Sequence, residues 1–206
     1  MNTVIFDLGG VLVDFHPYEG MKNMGFSDEA AEAFMEGIFS GFWEECDSIV
    51  YEPDEIRRVF KDRLPGYERE VDILWDKLPM ITGMRPYAME WIESLKARGM
   101  KLYVLSNFGN VAFDINSQVY EFLPLMDGKV ISYELGITKP DRRIYEALFQ
   151  KYDIDPKQAV FIDDRRENVD GAIAAGMKGI LFESYEQAKL CSSPLSPYMD
   201  SRGANM

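Results

Sequence analysis

Short apolar runs alternate with longer stretches of helical spacing over most of this chain. The apolar runs have the length and continuity of buried parallel strands, and they cover residues 3–7, 101–105, 130–132, 159–162 and 179–182. From about residue 85 onward, apolar residues between the runs recur at helical spacing, as at Ala88, Trp91, Ile92 and Leu95. Strands that alternate with helices predict an α/β fold built on a parallel sheet with right-handed crossovers.

One long segment interrupts this alternation. Residues 17–84 carry stripes of helical spacing and no strand-like run. Ser27 suits the N-cap of one of these helices, and Pro53 suits the first turn of another. The segment is therefore predicted to be a small helical unit inserted after the first strand. The predicted division is a core over 1–16 and 85–190, a helical cap over 17–84, and a flexible tail over 191–206, which is rich in Ser and Pro.

Polar residues stand at or near the ends of the predicted strands. They are Asp7, the pair Ser106-Asn107, Lys139 in a loop, and the pair Asp163-Asp164. Each has an ordinary explanation when it is taken alone, as a turn former, a surface lysine or a helix cap. Ligands of open α/β sheets collect outside the carboxyl ends of the strands, and parallel strands bring those ends to one edge. The order of these residues therefore predicts one common site.

These residue types suit phosphoryl transfer. The carboxylates of Asp7 and Asp164, with the backbone carbonyl of Gly9, are the hard oxygen ligands that Mg2+ takes. Lys139 and Ser106 can neutralise and hydrogen-bond the phosphoryl oxygens, over which the charge is spread. One oxygen of Asp7 can then attack phosphorus, and water hydrolyses the resulting aspartyl phosphate.

The same stretches resemble the haloacid dehalogenase-like (HAD) hydrolase superfamily, in order, spacing and strand context. The matching motifs are Phe6-Asp7-Leu8-Gly9-Gly10-Val11, Leu105-Ser106-Asn107, Lys139-Pro140 and Phe161-Ile162-Asp163-Asp164. The resemblance covers about 1–16 and 85–185, and the helical insert is similar to the family's cap. It implies a Rossmann-like core and a helical-cap phosphatase that resembles the sugar-1-phosphate phosphatases.

The resemblance also implies a role for each matching residue. Asp7 is the nucleophile and a metal ligand, Gly9 is a carbonyl ligand, and Asp164 is the second carboxylate ligand. Ser106, Asn107 and Lys139 bind the phosphate. Asp163 and Asn168 orient the metal and its waters from outside the ligand set.

Gly9 departs from the family pattern. Most phosphatases of the family have a second Asp there, two residues after the nucleophile, as general acid and base. The loss of a positioned acid costs on the order of 10²–10⁴ in rate. The hypothesis that follows is a leaving group of low basicity, such as an anomeric sugar oxygen, an aryl oxygen or an acyl group. His16, the one histidine, is an alternative proton donor, although a hinge or surface role is favoured for it.

Composition narrows the classes of partner. The 206 residues are 47% hydrophobic and 28% charged, an ordinary balance for a globular chain. The net charge of -13 argues against nucleic acid and against an anionic membrane surface as partners. Cys46 and Cys191 form no CxxC pair, and no signal peptide or membrane span is recognised, so a reduced, cytoplasmic location is predicted. Neither the oligomeric state nor the substrate can be predicted.

The leading functional hypothesis is a Mg2+-dependent phosphatase that acts on a small phosphorylated metabolite, such as a sugar phosphate, under a mobile helical lid. One alternative is a metal-independent 2-haloacid dehalogenase. The absent second Asp fits that activity, but the pair Asp163-Asp164 argues for a metal. The other alternative is a binding module that keeps the fold without catalysis.

Overall fold

A computed structural model describes residues 2–191 of the chain, with the side chains of 190 and 191 left aside. Its strands are β1 (Thr3–Phe6), β2 (Val13–Phe15), β3 (Thr82–Met84), β4 (Lys101–Ser106), β5 (Gly128–Ile131), β6 (Ala159–Asp163) and β7 (Lys178–Leu181). Its helices are α1 (Pro17–Asn23), α2 (Asp28–Phe34), α3 (Phe42–Glu45), α4 (Pro53–Arg63), α5 (Glu68–Asp76), α6 (Ala88–Ala97), α7 (Asn110–Asn116), α8 (Arg142–Tyr152), α9 (Arg166–Ala174) and α10 (Tyr185–Cys191). The predicted tail lies outside the described residues, except that Cys191 ends α10.

A five-stranded parallel sheet in the order β5-β4-β1-β6-β7 forms the centre of the fold. The predicted α/β fold with a Rossmann-like parallel sheet is therefore confirmed. In β1, Val4 and Phe6 belong to one apolar cluster and Ile5 belongs to another. All three are fully buried, because helices cover both faces of the sheet. This explains why the strand reads as a continuous apolar run.

The middle position of β1 determines which residues meet. Phe6 at its end pairs with Val104 of β4 on one side and with Ile162 of β6 on the other. The N–H of Asp7 continues the ladder by donating to the carbonyl of Ile162 at 2.9 Å. The residues that follow β1, β4 and β6 are therefore neighbours at one edge of the sheet.

The segment between β2 and β3 contains α1 to α5, and a π-helical stretch, Met35–Phe39, continues α2. The predicted N-cap at Ser27 and the predicted helix start at Pro53 are both confirmed. Ser27 accepts a hydrogen bond from the N–H of Ala30 at 3.0 Å, and Pro53 opens α4 within a capping box formed by Glu52 and Glu55.

A two-stranded ribbon closes the base of this segment, and the sequence did not predict it. β2 and β3 pair antiparallel, with Asp14 opposite Gly83. The expectation that 17–84 holds no strand is therefore wrong for Thr82–Met84. The strands are three residues long and only partly buried, so neither shows a hydrophobic pattern. They form because the chain enters and leaves the helical segment at the same place.

The helical segment has its own apolar cluster, built around Phe34, Phe60 and Leu74, which are fully buried. Val111 and Ala112 of α7 join this cluster, so the helices also pack against the sheet-bearing part of the molecule. The division into a core over 1–16 and 85–190 and a cap over 17–84 stays a prediction. Along the described residues, no helix has both the length and the apolar character that a bilayer span requires.

We expect Phe60→Ala to lower the free energy of unfolding by about 3–5 kcal/mol, because it removes a buried aromatic ring and leaves a cavity. The ring lies 5.1 Å from that of Trp75 and 5.9 Å from that of Phe42, measured between centroids. Urea denaturation followed by tryptophan fluorescence measures the change. The control is Arg58→Ala on the exposed side of α4, with an expected effect within about 0.5 kcal/mol. Equal stabilities of the two variants would show that Phe60 does not belong to the apolar core of the helical segment.

Candidate active site

Asp7 lies at the base of the site, directly after β1. Its Oδ1 accepts from the N–H of Leu8 at 2.7 Å and lies 2.9 Å from Nζ of Lys139. The hydroxyl of Ser106, the last residue of β4, also donates to this carboxylate. Burial raises the pKa of Asp7, whereas the ammonium of Lys139 and the Ser106 hydroxyl oppose the rise. Asp7 is thus a buried carboxylate surrounded by donors.

Lys139 joins two acidic residues from different strands. Its side chain is 1% exposed, and its Nζ lies 2.9 Å from Asp7 and 2.7 Å from Oδ2 of Asp163. Burial disfavours the ammonium, but the two carboxylates more than compensate and raise the pKa of Lys139. The residue therefore stays charged, and it supplies a fixed cation at the end of the sheet.

The carboxylate of Asp163 accepts hydrogen bonds at both of its oxygens. It accepts from Lys139, from the N–H of Arg165 at 2.8 Å, and from the side-chain amide of Asn168 at 3.0 and 3.1 Å. Asn168 is itself buried on α9. These bonds fix the turn between β6 and α9, and they hold Lys139 against Asp7.

Asp164, the next residue, is exposed at the mouth of the site. Its carboxylate lies over Gly10, where a Cβ would come within 2.1 Å of Oδ2. Gly10 also has a φ of +71°, a backbone conformation that favours glycine. The second glycine of the first motif therefore makes room for a carboxylate from a distant strand.

Asn107 is placed at the site, but its side chain makes structural contacts. Its amide oxygen accepts from the N–H of Lys139 at 2.8 Å, and its amide nitrogen donates to the Lys139 carbonyl at 3.1 Å. The side chain thereby clamps the loop that carries the buried ammonium. Its predicted contact with phosphate stays a prediction, and this pairing identifies an additional positioning role.

A cavity of about 420 Å³ extends from this base toward the helical segment. Of the predicted residues, those that line it are Asp7, Gly9, Ser106, Asn107, Lys139, Asp164 and Asn168. His16 lies on its rim, 63% exposed and 3.5 Å from Asp14. Four further residues line the same cavity without any sequence motif that marks them as site residues: Phe15, Glu44, Asp47 and Phe108.

The acidic groups fit a divalent cation. Asp7, Asp163 and Asp164 each offer a carboxylate oxygen, and these three atoms lie within 4.8 Å of one another. Three carboxylates outnumber the single buried ammonium among them, so one further cation suits the local charge. Since Asp163 is engaged by several donors, Asp7 and Asp164 have more oxygen acceptors left for a cation, and Gly9 lines the same cavity.

Comparison with known proteins agrees with this geometry. The family described as haloacid dehalogenase-like hydrolase matches residues 1–176. The chain belongs to this family. Membership of this family makes the chain a hydrolase, and the resemblance seen in its four motifs is confirmed.

Two relatives and one solved structure illustrate the range of the family. A sesquiterpene phosphatase of Aspergillus oryzae is 29% identical over 187 residues, which are 86% of this chain and 88% of the relative. The (S)-2-haloacid dehalogenase 4A of Burkholderia cepacia is 23% identical over 194 residues, which are 84% of this chain and 78% of the dehalogenase. A HAD family enzyme of Bacteroides thetaiotaomicron, solved as a magnesium complex, has a TM-score of 0.73 at 20% identity. The match covers 92% of this chain and 98% of that one. That likeness shows the shared fold.

We expect Gly10→Ala to destabilise the HAD-like hydrolase, by about 1–2 kcal/mol from the left-handed backbone alone, and more because the new Cβ meets Asp164. Thermal unfolding measures the loss. The matched control is Gly9→Ala, since a Cβ on Gly9 meets nothing within 4 Å. Equal melting temperatures for the two variants would contradict the packing of Asp164 over Gly10.

Proposed function

We propose that this hydrolase is a Mg2+-dependent phosphatase that acts on a small phosphorylated metabolite through an aspartyl phosphate on Asp7. The observation that carries the proposal is the buried contact of Asp7 with the Lys139 ammonium beside the acidic group of Asp163 and Asp164. This arrangement combines a nucleophile, a fixed positive charge and a set of oxygen ligands. The phosphatase among the relatives and the magnesium complex among the solved structures support the same chemistry.

In the proposed reaction, one carboxylate oxygen of Asp7 attacks phosphorus, and the bond to the leaving-group oxygen breaks. Lys139 and the Ser106 hydroxyl, which already surround Asp7, donate to the phosphoryl oxygens as charge develops on them. Water then attacks the aspartyl phosphate and releases inorganic phosphate. Asp163 and Asn107 keep Lys139 in place through both steps.

Mg2+ would be held by Asp7, Asp164 and the carbonyl of Gly9, with Asp163 and Asn168 orienting the site from behind. When bound, it neutralises phosphoryl charge that a single lysine leaves uncompensated. The geometry of Gly10 supports this assignment, since a larger residue there would displace the carboxylate of Asp164.

The cavity supports a small substrate with one apolar face. Phe15 and Trp43 stack with their ring centroids 5.7 Å apart, and both line the cavity together with Phe108. Aromatic walls suit the ring face of a sugar as well as a hydrocarbon chain. The predicted sugar phosphate and an apolar phosphate ester are therefore both candidates, which a panel of phosphate esters separates.

A metal-independent 2-haloacid dehalogenase is the second candidate. It is favoured by the haloacid dehalogenase among the relatives and by Gly9 in place of the family's second Asp. Against it stands the excess of carboxylates around Asp7, which dehalogenation without metal does not use. Release of chloride from 2-chloropropionate in the presence of EDTA would establish this activity instead.

We expect the wild-type protein to hydrolyse 4-nitrophenyl phosphate with Mg2+, to lose this activity in EDTA and to regain it when Mg2+ is restored. Asp7→Asn removes the nucleophile and should lower kcat by at least about 10⁴-fold. Absorbance of released nitrophenolate is the measurement. Activity in Asp7→Asn equal to the wild type would refute the aspartyl-phosphate route.

Lys139→Met should lower kcat by about 10²–10³-fold, because it removes a donor aimed at the developing charge. It should also reduce stability by about 3–5 kcal/mol, since Asp7 and Asp163 lose their buried partner. Kinetics and urea denaturation measure the two effects. The control, Lys151→Met, removes a lysine whose ion pair with Glu134 is on the surface, and should leave both quantities nearly unchanged.

A further inference from the structure

The absence of a carboxylate at Gly9 leaves the proposed phosphatase without the usual proton donor, and the helical segment brings another carboxylate to the same cavity. Asp47 lies in a short 3₁₀ turn, Cys46–Ser48, that follows α3. It lines the cavity together with Asp7 and Lys139, and the charges of both residues act on it. A residue of the helical segment thus lines the same cavity as the reacting group, although it lies 40 positions after Asp7 in the sequence.

Several contacts with the sheet-bearing part hold this turn in place. The hydroxyl of Ser132, a fully buried residue that follows β5, donates to the main-chain carbonyl of Asp47. The N–H of Gly109, which precedes α7, donates to the Asp47 carboxylate. A Cβ on Gly109 would lie 3.1 Å from the carbonyl oxygen of Cys46, a tight contact, so glycine favours this close approach. The turn is therefore held by residues of two separate loops, and Gly109 is the one that contacts the carboxylate.

A second clamp lies next to the turn. The side chain of Asn110, at the start of α7, accepts from the N–H of Tyr51 at 3.0 Å and donates to its carbonyl at 2.8 Å. The segment from Asp47 to Tyr51 is thus bound at one end by Gly109 and Ser132 and at the other by Asn110. Asp47 occupies a defined place above the site rather than a random position on the cap surface.

The surroundings of Asp47 allow it to carry a proton near neutral pH. Burial raises its pKa to about 7, and the neighbouring charges of Glu44 and Asp7 act in the same direction. Lys139 and the Gly109 N–H oppose that rise. Glu44 is itself an exposed residue, 3.4 Å from the guanidinium of Arg165.

We infer that Asp47 is the general acid and base of this enzyme. The helical segment supplies it, because this chain has Gly9 where most phosphatases of the family have their second Asp. The inference rests on the proposed phosphatase function. In the first step the Asp47 carboxylic acid gives its proton to the leaving-group oxygen as the bond from that oxygen to phosphorus breaks and Asp7 becomes phosphorylated. In the second step the Asp47 carboxylate takes a proton from the water that attacks phosphorus, the bond to Asp7 breaks, and phosphate leaves.

Asp47→Asn tests this role, because the amide keeps the acceptor for the Gly109 N–H but cannot transfer the proton. We expect kcat for an alkyl phosphate, whose leaving group is strongly basic, to fall by about 10²–10⁴-fold. In the wild type this rate should decrease as the pH rises through about 7, where Asp47 loses its proton, and the variant should lack that decrease. The matched control is Glu45→Gln, an exposed acid two positions away, which should behave as the wild type.

A substrate with a good leaving group separates the two steps. With 4-nitrophenyl phosphate, the variant should release about one equivalent of nitrophenolate per enzyme rapidly and then turn over slowly, since hydrolysis of the aspartyl phosphate needs the base. Mass spectrometry of the quenched variant should detect a phosphoryl group on Asp7 that does not accumulate in the wild type. A merely structural role for Asp47 would slow both phases without this accumulation.

Gly9 offers a rescue, since a Cβ there meets nothing within 4 Å. We expect the double variant Gly9→Asp, Asp47→Asn to hydrolyse the alkyl phosphate at least about ten-fold faster than Asp47→Asn alone, since it places an acid at the family's usual position. Wild-type activity that is unchanged in Asp47→Asn would overturn the role of Asp47 and leave the phosphatase proposal standing. Absence of phosphatase activity in the wild type, with Mg2+ and across the ester panel, would overturn the phosphatase proposal itself.

Discussion

The buried ammonium of Lys139 between two carboxylates is the interaction on which the site depends. A charged group with 1% exposure is tolerable only when its partners are close and well hydrogen-bonded, and Lys139 has Asp7 and Asp163 at 2.9 and 2.7 Å. Those two acids follow or end adjacent strands, so the sheet itself fixes their separation. Asn107 then fixes the loop from which the lysine reaches them. The strand order is therefore what makes the charge arrangement possible.

Much of this arrangement was predictable, because its signals are local. A buried parallel strand reads as an apolar run, and β1, β4 and β6 all showed one. The polar residues after such runs converge for a topological reason that needs no side-chain detail. Asp7, Ser106 and Asp164 could thus be assigned to one site. Asp163 was expected to orient the metal from outside the ligand set, and no local pattern indicated that it would hold Lys139.

The remaining features arise from contacts between segments that no local pattern records. The β2–β3 ribbon pairs residues about seventy positions apart, with three residues on each side. Asp47 stands in an acidic stretch that reads as a solvated surface, since the partners that bury it, Gly109 and Ser132, belong to distant loops. The contacts of Asp47 form only where the helical segment meets the loops after β4 and β5. Sequence periodicity describes elements, and it says little about where a turn between two of them will dock.

The two glycines of the first motif differ in what lies next to them. The carboxylate of Asp164 occupies the space beside Gly10, so the absence of a side chain there makes room for that carboxylate. A Cβ on Gly9 would meet nothing within 4 Å, so the position has room for a side chain that this chain does not supply. If Asp47 fills the chemical role left open there, proton transfer is possible only while the Cys46–Ser48 turn is seated on Gly109 and Ser132. Closure of the cap would then complete the catalytic group as well as exclude water, and a substrate that prevents closure would remain bound but unreacted.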